Sequence, residues 1–248
     1  MIRVGIVGGT GKLGKDIIAL LLDNKEISIG AVIVRRNKPY IGKDIGLLVD
    51  NRMTNIRMID NILASRDCCD LYIDCTNADS FIEENYDSYV LVNKPVIIAT
   101  TGFNPSQIER ISLLAQSTSV VICPNFSIGV YKFLKLVEMA ACEFGPNADI
   151  DVFEYHHKFK KDQPSGTASK IVETIKGAGI ENTIHIHSVR AGEIIGEHSV
   201  LFTTNENERF EISHKIYSRD SFSKGVIETI KWISHKEVGL FGLEDIFQ

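Results

Sequence analysis

The sequence predicts an α/β chain in two parts, a doubly wound parallel sheet domain and a smaller α+β domain with an open mixed sheet. Three observations predict it. Short β-branched runs alternate with amphipathic helical stretches as far as residue 127, the spacing of a parallel sheet with crossover helices. The first of these runs leads directly into a glycine-rich turn that opens a helix. After Ile128 the alternation stops: a long helix leads into apolar runs with few helices between them, as in a mixed or antiparallel sheet.

Ile2–Val7 reads as the first strand, Gly8-Gly9-Thr10-Gly11-Lys12-Leu13-Gly14 as the turn, and Ile17, Ile18, Leu20, Leu21 and Leu22 as the apolar face of the helix behind it. Glycines at positions 8, 11 and 14 give G-x-x-G-x-x-G, a relative of the dinucleotide fingerprint, in which bare backbone approaches a pyrophosphate resting on the helix N-terminus. The first domain is therefore expected to be of the Rossmann type and to bind a nicotinamide dinucleotide. Residues 29–34 form the second strand, at whose end a carboxylate commonly meets the adenosine ribose. Val34, Arg35 and Arg36 stand there instead, so NADPH is expected to be at least accepted beside or in place of NADH.

Residues 37–65 are less regular, with a short strand expected at 56–59. Strands follow at 71–75, 95–100 and 120–123, with helices at 81–92 and 106–115 between them. A parallel sheet gathers its strand ends on one edge, which puts Thr76, Thr100, Thr101 and Asn125 in one crevice with the glycine turn. Helix 128–144 leads into the second part, with a strand from Ile150 to Tyr155 and further strands at 184–189, 194–202 and 209–217. A last helix is expected at 224–234, and 239–246 as a cap returning to the first domain.

The chemistry is expected in the loop 154–168, Glu-Tyr-His-His-Lys-Phe-Lys-Lys-Asp-Gln-Pro-Ser-Gly-Thr-Ala. Ser165, Gly166 and Thr167 sit where a helix begins, so their backbone N–H groups suit a carboxylate or phosphate, and Lys160 adds a full positive charge. His156 or His157 is suited to hold a proton near neutral pH. Taken singly, each feature is more often a solvated lysine, a structural histidine or an ordinary helix cap; their joint occurrence at a strand-to-helix junction points to a site.

A net charge of -5 and the absence of a long basic tract argue against nucleic acid as the main partner. No apolar run reaches the roughly 18 residues of a membrane span, and the first residues lack the pattern of a signal peptide, so a cytoplasmic protein is expected. Five cysteines without C-x-x-C spacing are read as reduced and mostly buried, with no metal site.

Together the glycine turn, Thr100-Thr101-Gly102-Phe103, Asn125-Phe126-Ser127-Ile128-Gly129-Val130, the signature 154–168 and the run Ser188-Val189-Arg190-Ala191-Gly192-Glu193-Ile194-Ile195-Gly196-Glu197-His198 closely resemble bacterial dihydrodipicolinate reductases over nearly the whole chain. The resemblance implies a cofactor domain built from both chain ends, residues 1–127 and 218–248, and a substrate and oligomerisation domain at 128–217 forming a homotetramer through its sheets. It implies hydride delivery from NADPH or NADH to a small cyclic imine dicarboxylate, with loss of water. By position His156 matches the general acid and Lys160 the lysine that assists it and holds substrate, while His157, Ser165, Gly166, Thr167 and Thr101 match the dicarboxylate cradle. Cofactor contacts are implied for Gly8, Gly9, Thr10, Gly11, Lys12, Leu13, Arg35, Ala99, Thr100, Thr101, Cys123, Pro124, Asn125 and Phe126. Two other readings compete: an oxidoreductase of the same build acting on another small acid, and a non-catalytic NADPH-sensing protein. Neither needs paired histidines beside Pro-Ser-Gly-Thr.

Overall fold

A computed structural model of the chain describes all residues except 37, 38, 101, 124, 206, 219 and 248, and leaves out the side chain of residue 220. In chain order the elements are β1 (Ile2–Val7), α1 (Lys12–Leu22), β2 (Ile27–Ile33), β3 (Met58–Ile59), β4 (Leu71–Asp74), α2 (Tyr86–Val92), β5 (Val96–Ile98), α3 (Pro105–Leu114) and β6 (Ser119–Ile122). Then come α4 (Ile128–Phe144), β7 (Ala148–His156), α5 (Gly166–Gly177), β8 (Ile184–Arg190), β9 (Gly196–Thr204) and β10 (Arg209–Ile216). The chain closes with α6 (Asp220–Ile233), β11 (Gly239–Phe241) and α7 (Leu243–Ile246).

The chain divides into two compact units, Met1–Phe126 with Gly225–Gln248, and Ser127–Lys224. In the first unit seven parallel strands lie in the order β11-β6-β5-β4-β1-β2-β3. Strand order reverses between β1 and β4, and at such a switch point the strand ends part to leave a crevice. α1 buries Gly14, Ile17, Ile18 and Leu21, the i, i+3, i+4, i+7 stripe of a helix lying on a sheet. Gly14 is required by closeness: a Cβ there would lie 2.6 Å from the carbonyl oxygen of Gly8. α3 starts where Asn104 and Gln107 cap each other reciprocally and Pro105 takes the first helical position.

In the second unit the strands run β10-β9-β7-β8, with β7 parallel to β8 and the other pairs antiparallel. α4 and α5 supply Phe133, Val137, Ala141, Ile171 and Ile175 to a core shared with Ala148, Ile150, Val152, Val200 and Phe202. Each such large aliphatic side chain, once fully buried, contributes about 1.5–3 kcal/mol. Alternation along β7 sends Ala148, Ile150, Val152, Glu154 and His156 inward, so two polar residues continue an apolar stripe. On the opposite face Phe153, Tyr155 and Leu201 are only half-buried.

Four expectations change. Residues 239–246 do more than cap, because β11 pairs in parallel with β6 as an edge strand of the large sheet. The helix expected at 81–92 opens as a π-helical turn, Ser80–Asn85, before α2. His156 ends strand β7 instead of lying in the loop, since its carbonyl still accepts the N–H of Ala191. The five cysteines are free, yet only Cys69 and Cys123 are buried; Cys68 and Cys142 are exposed and Cys75 is intermediate. Cys142 lies on the outer side of α4, which apolar neighbours in sequence do not reveal.

Candidate active site

In the first unit a cavity of about 560 Å³ opens at the switch point. Gly8, Thr10 and Gly11 form one side, Ile33 to Arg36 another, and Cys75, Thr76 and Asn77 a third. Gly8 adopts φ +83, and its Cβ would come within 3.0 Å of the Cys75 backbone, so the turn lies against β4 as only glycine allows. Gly11 caps α1 without a side chain to offer, which leaves first-turn N–H groups for an anion. A dinucleotide pyrophosphate fits that cradle. Beneath it, Asp74 is fully buried and accepts bonds from the Thr76 N–H at 2.9 Å, Thr76 Oγ1 at 2.5 Å, Asn85 Nδ2 at 3.1 Å and Tyr89 OH at 2.7 Å. Arg35 reaches Ser80 Oγ at 2.9 Å and Glu84 Oε1 at 3.0 Å across the cavity wall.

In the second unit the inward face of the sheet carries a polar row. Ser188, Glu154, His198 and His214 are successive cross-strand neighbours, and Arg190 pairs with His156 in the row beside it. Glu154 is fully buried, and its Oε1 accepts from the Ser165 N–H at 3.0 Å, Ser188 Oγ at 2.5 Å and Arg190 Nη2 at 2.9 Å. Its Oε2 lies 2.9 Å from His156 Nδ1. The distance is that of a charge-assisted contact, and neither atom has another hydrogen-bond partner among the described residues. Burial pushes the Glu154 carboxyl up, but the bonds from His156, Ser165, Ser188 and Arg190 outweigh it and hold the group far below the usual carboxylate range.

Room for the His156 ring comes from Gly196 opposite, where a Cβ would lie 3.3 Å from Nε2. The edge of His198 meets that ring at 5.3 Å between centroids. Burial foremost, then the charge of His156, pushes His198 down to about 3, so it is neutral near pH 7. Glu154, His156 and His198 bring ligand-type atoms within 4.8 Å of one another. A cation there would face the Arg190 guanidinium on the same carboxylate, which makes this a poor metal site. Past the strand, Lys160 Nζ sits on Asp162 at 2.7 and 2.8 Å, and Arg190 Nη2 also donates to the Asp162 carbonyl at 2.7 Å, tying the loop to β8. Ser165 then caps α5 by accepting the N–H of Ala168 at 3.1 Å.

The family models for the N-terminus and C-terminus of dihydrodipicolinate reductase match residues 2–126 and 129–247. The chain belongs to the dihydrodipicolinate reductase family. That makes it an NAD(P)H-dependent oxidoreductase of lysine and diaminopimelate biosynthesis. A 4-hydroxy-tetrahydrodipicolinate reductase of Hahella chejuensis is 33% identical to it, over 99% of this chain and 98% of its own length. The structure of a dipicolinate-bound dihydrodipicolinate reductase from Paenisporosarcina sp. TG-14 superposes with a TM-score of 0.79 at 27% identity, covering 99% of both chains. An amine dehydrogenase from Mycobacterium smegmatis, at TM-score 0.64 and 12% identity over 96% of this chain, shares the fold.

Within this reductase the residues expected from sequence separate into groups. Gly8, Thr10, Gly11 and Arg35 line the cavity, whereas Gly9, Lys12, Leu13, Ala99, Thr100, Cys123, Asn125 and Phe126 do not. Gly9 is packed on Val32 and Phe126 is buried, so neither offers more than backbone. Thr101 and Pro124 lie outside the described residues. His156 ends β7, Ser165 caps α5 and donates its N–H to Glu154 of that strand, Gly166 and Thr167 open α5, and His157 and Lys160 lie on the loop between. Three residues of the arrangement were missed as individuals: Glu154, Arg190 and Asp74. Period-2 alternation along β7 was a usable signal for Glu154, because a carboxylate at an inward position demands a partner. Arg190 and Asp74 carry no local signal of that kind.

Proposed function

We propose that this chain reduces 4-hydroxy-tetrahydrodipicolinate to tetrahydrodipicolinate, with loss of water, using the first unit for the dinucleotide and the second for the substrate. One observation carries the reading: His156, backed by a buried carboxylate, ends a strand beside the capped start of α5 and a loop lysine. A bound nicotinamide supplies the hydride. The N–H groups of Gly166 and Thr167 and the side chains of Ser165, Thr167 and His157 receive the substrate carboxylates. Lys160, which lies against the Asp162 carboxylate, transfers its charge to the substrate. His156 gives the proton as negative charge builds on the ring. The dipicolinate ligand of the Paenisporosarcina relative, a planar dicarboxylate, supports the same substrate class.

NADPH is accepted in this reading. Val34 leaves no carboxylate at the end of β2, and the Arg35–Glu84 pair is half-exposed, a contact of about 0–1 kcal/mol that a 2′-phosphate displaces. The half-buried outer face of the β8-β7-β9-β10 sheet suits burial against other copies in a homotetramer. Free thiols suit the cytoplasm, and no helix among the described residues is long and apolar enough to cross a membrane.

The test is oxidation of NADPH and of NADH with substrate formed in place from pyruvate and aspartate semialdehyde. His156→Ala should lower kcat about 10²- to 10⁴-fold with little change in KM. Lys160→Ala should both lower kcat and raise KM. Equal, mild effects of the two would remove His156 from the role of acid.

A further inference from the structure

We propose that Glu154 is a positioning residue of this reaction: its Oε2 is reserved for Nδ1 of His156, so that one buried carboxylate sets the orientation of the acid and, through Ser165, the place of the carboxylate-binding helix start. The inference rests on the reading of His156 as the proton donor and adds the group that aims it.

A carboxylate that serves only to brace β7 against β8 needs a partner for each oxygen wherever the sheet supplies one. Oε1 alone already satisfies that need with Ser188 and Arg190 on β8. Oε2 lies 2.9 Å from His156 Nδ1, with no other donor among the described residues. Glu154 is fully buried, so no water competes for that oxygen. The third bond of Oε1, from the Ser165 N–H, connects the same carboxylate to the residue that caps α5. Residues 154, 156 and 165 are therefore joined through one carboxylate, which Arg190 also holds.

The surroundings of the ring support this use. Gly196 leaves the space in which the ring turns, and His198, uncharged and lacking a hydrogen-bond partner for either nitrogen, packs on it by its edge without competing for Nδ1. A contact of this kind in a substrate-free site tightens when substrate is bound. Nδ1 is then committed to Glu154, and Nε2 carries the proton that the substrate takes. Carboxylate-oriented histidines in other acid–base sites obey the same logic.

A double-mutant cycle on the full-length enzyme tests it. Glu154→Gln should lower kcat about 10²-fold, by analogy with the loss of an orienting carboxylate elsewhere. In a His156→Ala background the same change should alter kcat less than about threefold, because the group through which it acts is gone. Losses that multiply in the double variant would reduce Glu154 to a structural brace while leaving His156 as the acid. No loss on His156→Ala alone would overturn both readings. If Glu154→Gln does not fold, nitrogen NMR of the histidine rings in wild-type enzyme loaded with NADPH and pyridine-2,6-dicarboxylate decides the matter. The His156 ring, assigned by its absence in His156→Ala, should carry a hydrogen-bonded proton on Nδ1. A bare Nδ1 there overturns the proposal.

Discussion

Asp74 and Glu154 are both fully buried near the C-terminal ends of strands, one in each unit, and their surroundings move their carboxyls in opposite directions. Among the described residues Asp74 is bonded only by neutral donors, two from Thr76 and one each from Tyr89 and Asn85. Burial wins there, and the carboxyl is pushed up. Glu154 has a similar number of donors, but one is the Arg190 guanidinium and another is the His156 ring, and its carboxyl is held down. The difference teaches that hydrogen-bond count alone does not keep a buried carboxylate charged. Donors that carry or can take a positive charge do, here the His156 ring foremost and the half-buried Arg190 guanidinium with it, because the charged form gains from them what neutral dipoles do not match.

The largest test removes that cation. Arg190→Met leaves Glu154 charged and without its counter-ion, and should destabilise the fold by about 3–5 kcal/mol. Urea unfolding of the two proteins measures it, and a loss below about 1 kcal/mol would erase the contrast between the two sites.

A second test reads the contrast through pH. The folded chain binds fewer protons at Glu154 than the unfolded chain, so that contribution is full above the ordinary glutamate value of about 4.3 and is lost as pH falls. At Asp74 the folded chain binds more protons, so its contribution is full below the ordinary aspartate value of about 3.9 and is lost as pH rises. The thermal midpoint of Asp74→Asn relative to wild type should therefore improve as pH goes from about 4 to 7. A flat difference would mean that Asp74 stays charged as readily as Glu154.

The smallest effect is the cost of Asp74→Asn itself near neutral pH, which should be within about 1 kcal/mol. Tyr89 OH turns and Asn85 flips its amide to match the new donor, and no buried charge is left behind. A loss of several kcal/mol would show that the ionised form of Asp74 holds the turn at Thr76.

Much of this organisation was legible along the chain. The glycine spacing marked the turn between β1 and α1 because close backbone approach excludes side chains there, as Gly14 against Gly8 shows. Ser165 was readable as a cap since capping is local, spanning three residues to Ala168. The expected loop at 154–168 began too early to keep His156 in its strand, because strand ends depend on the partner that pairs with them, here Ala191. β11 escaped for the same reason: three residues with little apolar pattern become a strand only when β6 offers its edge.

By itself the sequence determined the two-part α/β build, the dinucleotide turn, and the grouping of His156, Lys160 and Ser165 at one strand-to-helix junction, all of which rest on contacts within a few residues or on side-chain periodicity. Only the tertiary structure decided which charges meet. Glu154 finds Ser188 and Arg190 at separations of 34 and 36 residues, and Asp74 finds Tyr89 fifteen residues on, because sheet pairing and helix packing set those encounters. Local pattern says that a carboxylate faces inward; the neighbouring strand supplies part of what keeps it ionised, the bonds from Ser188 and Arg190.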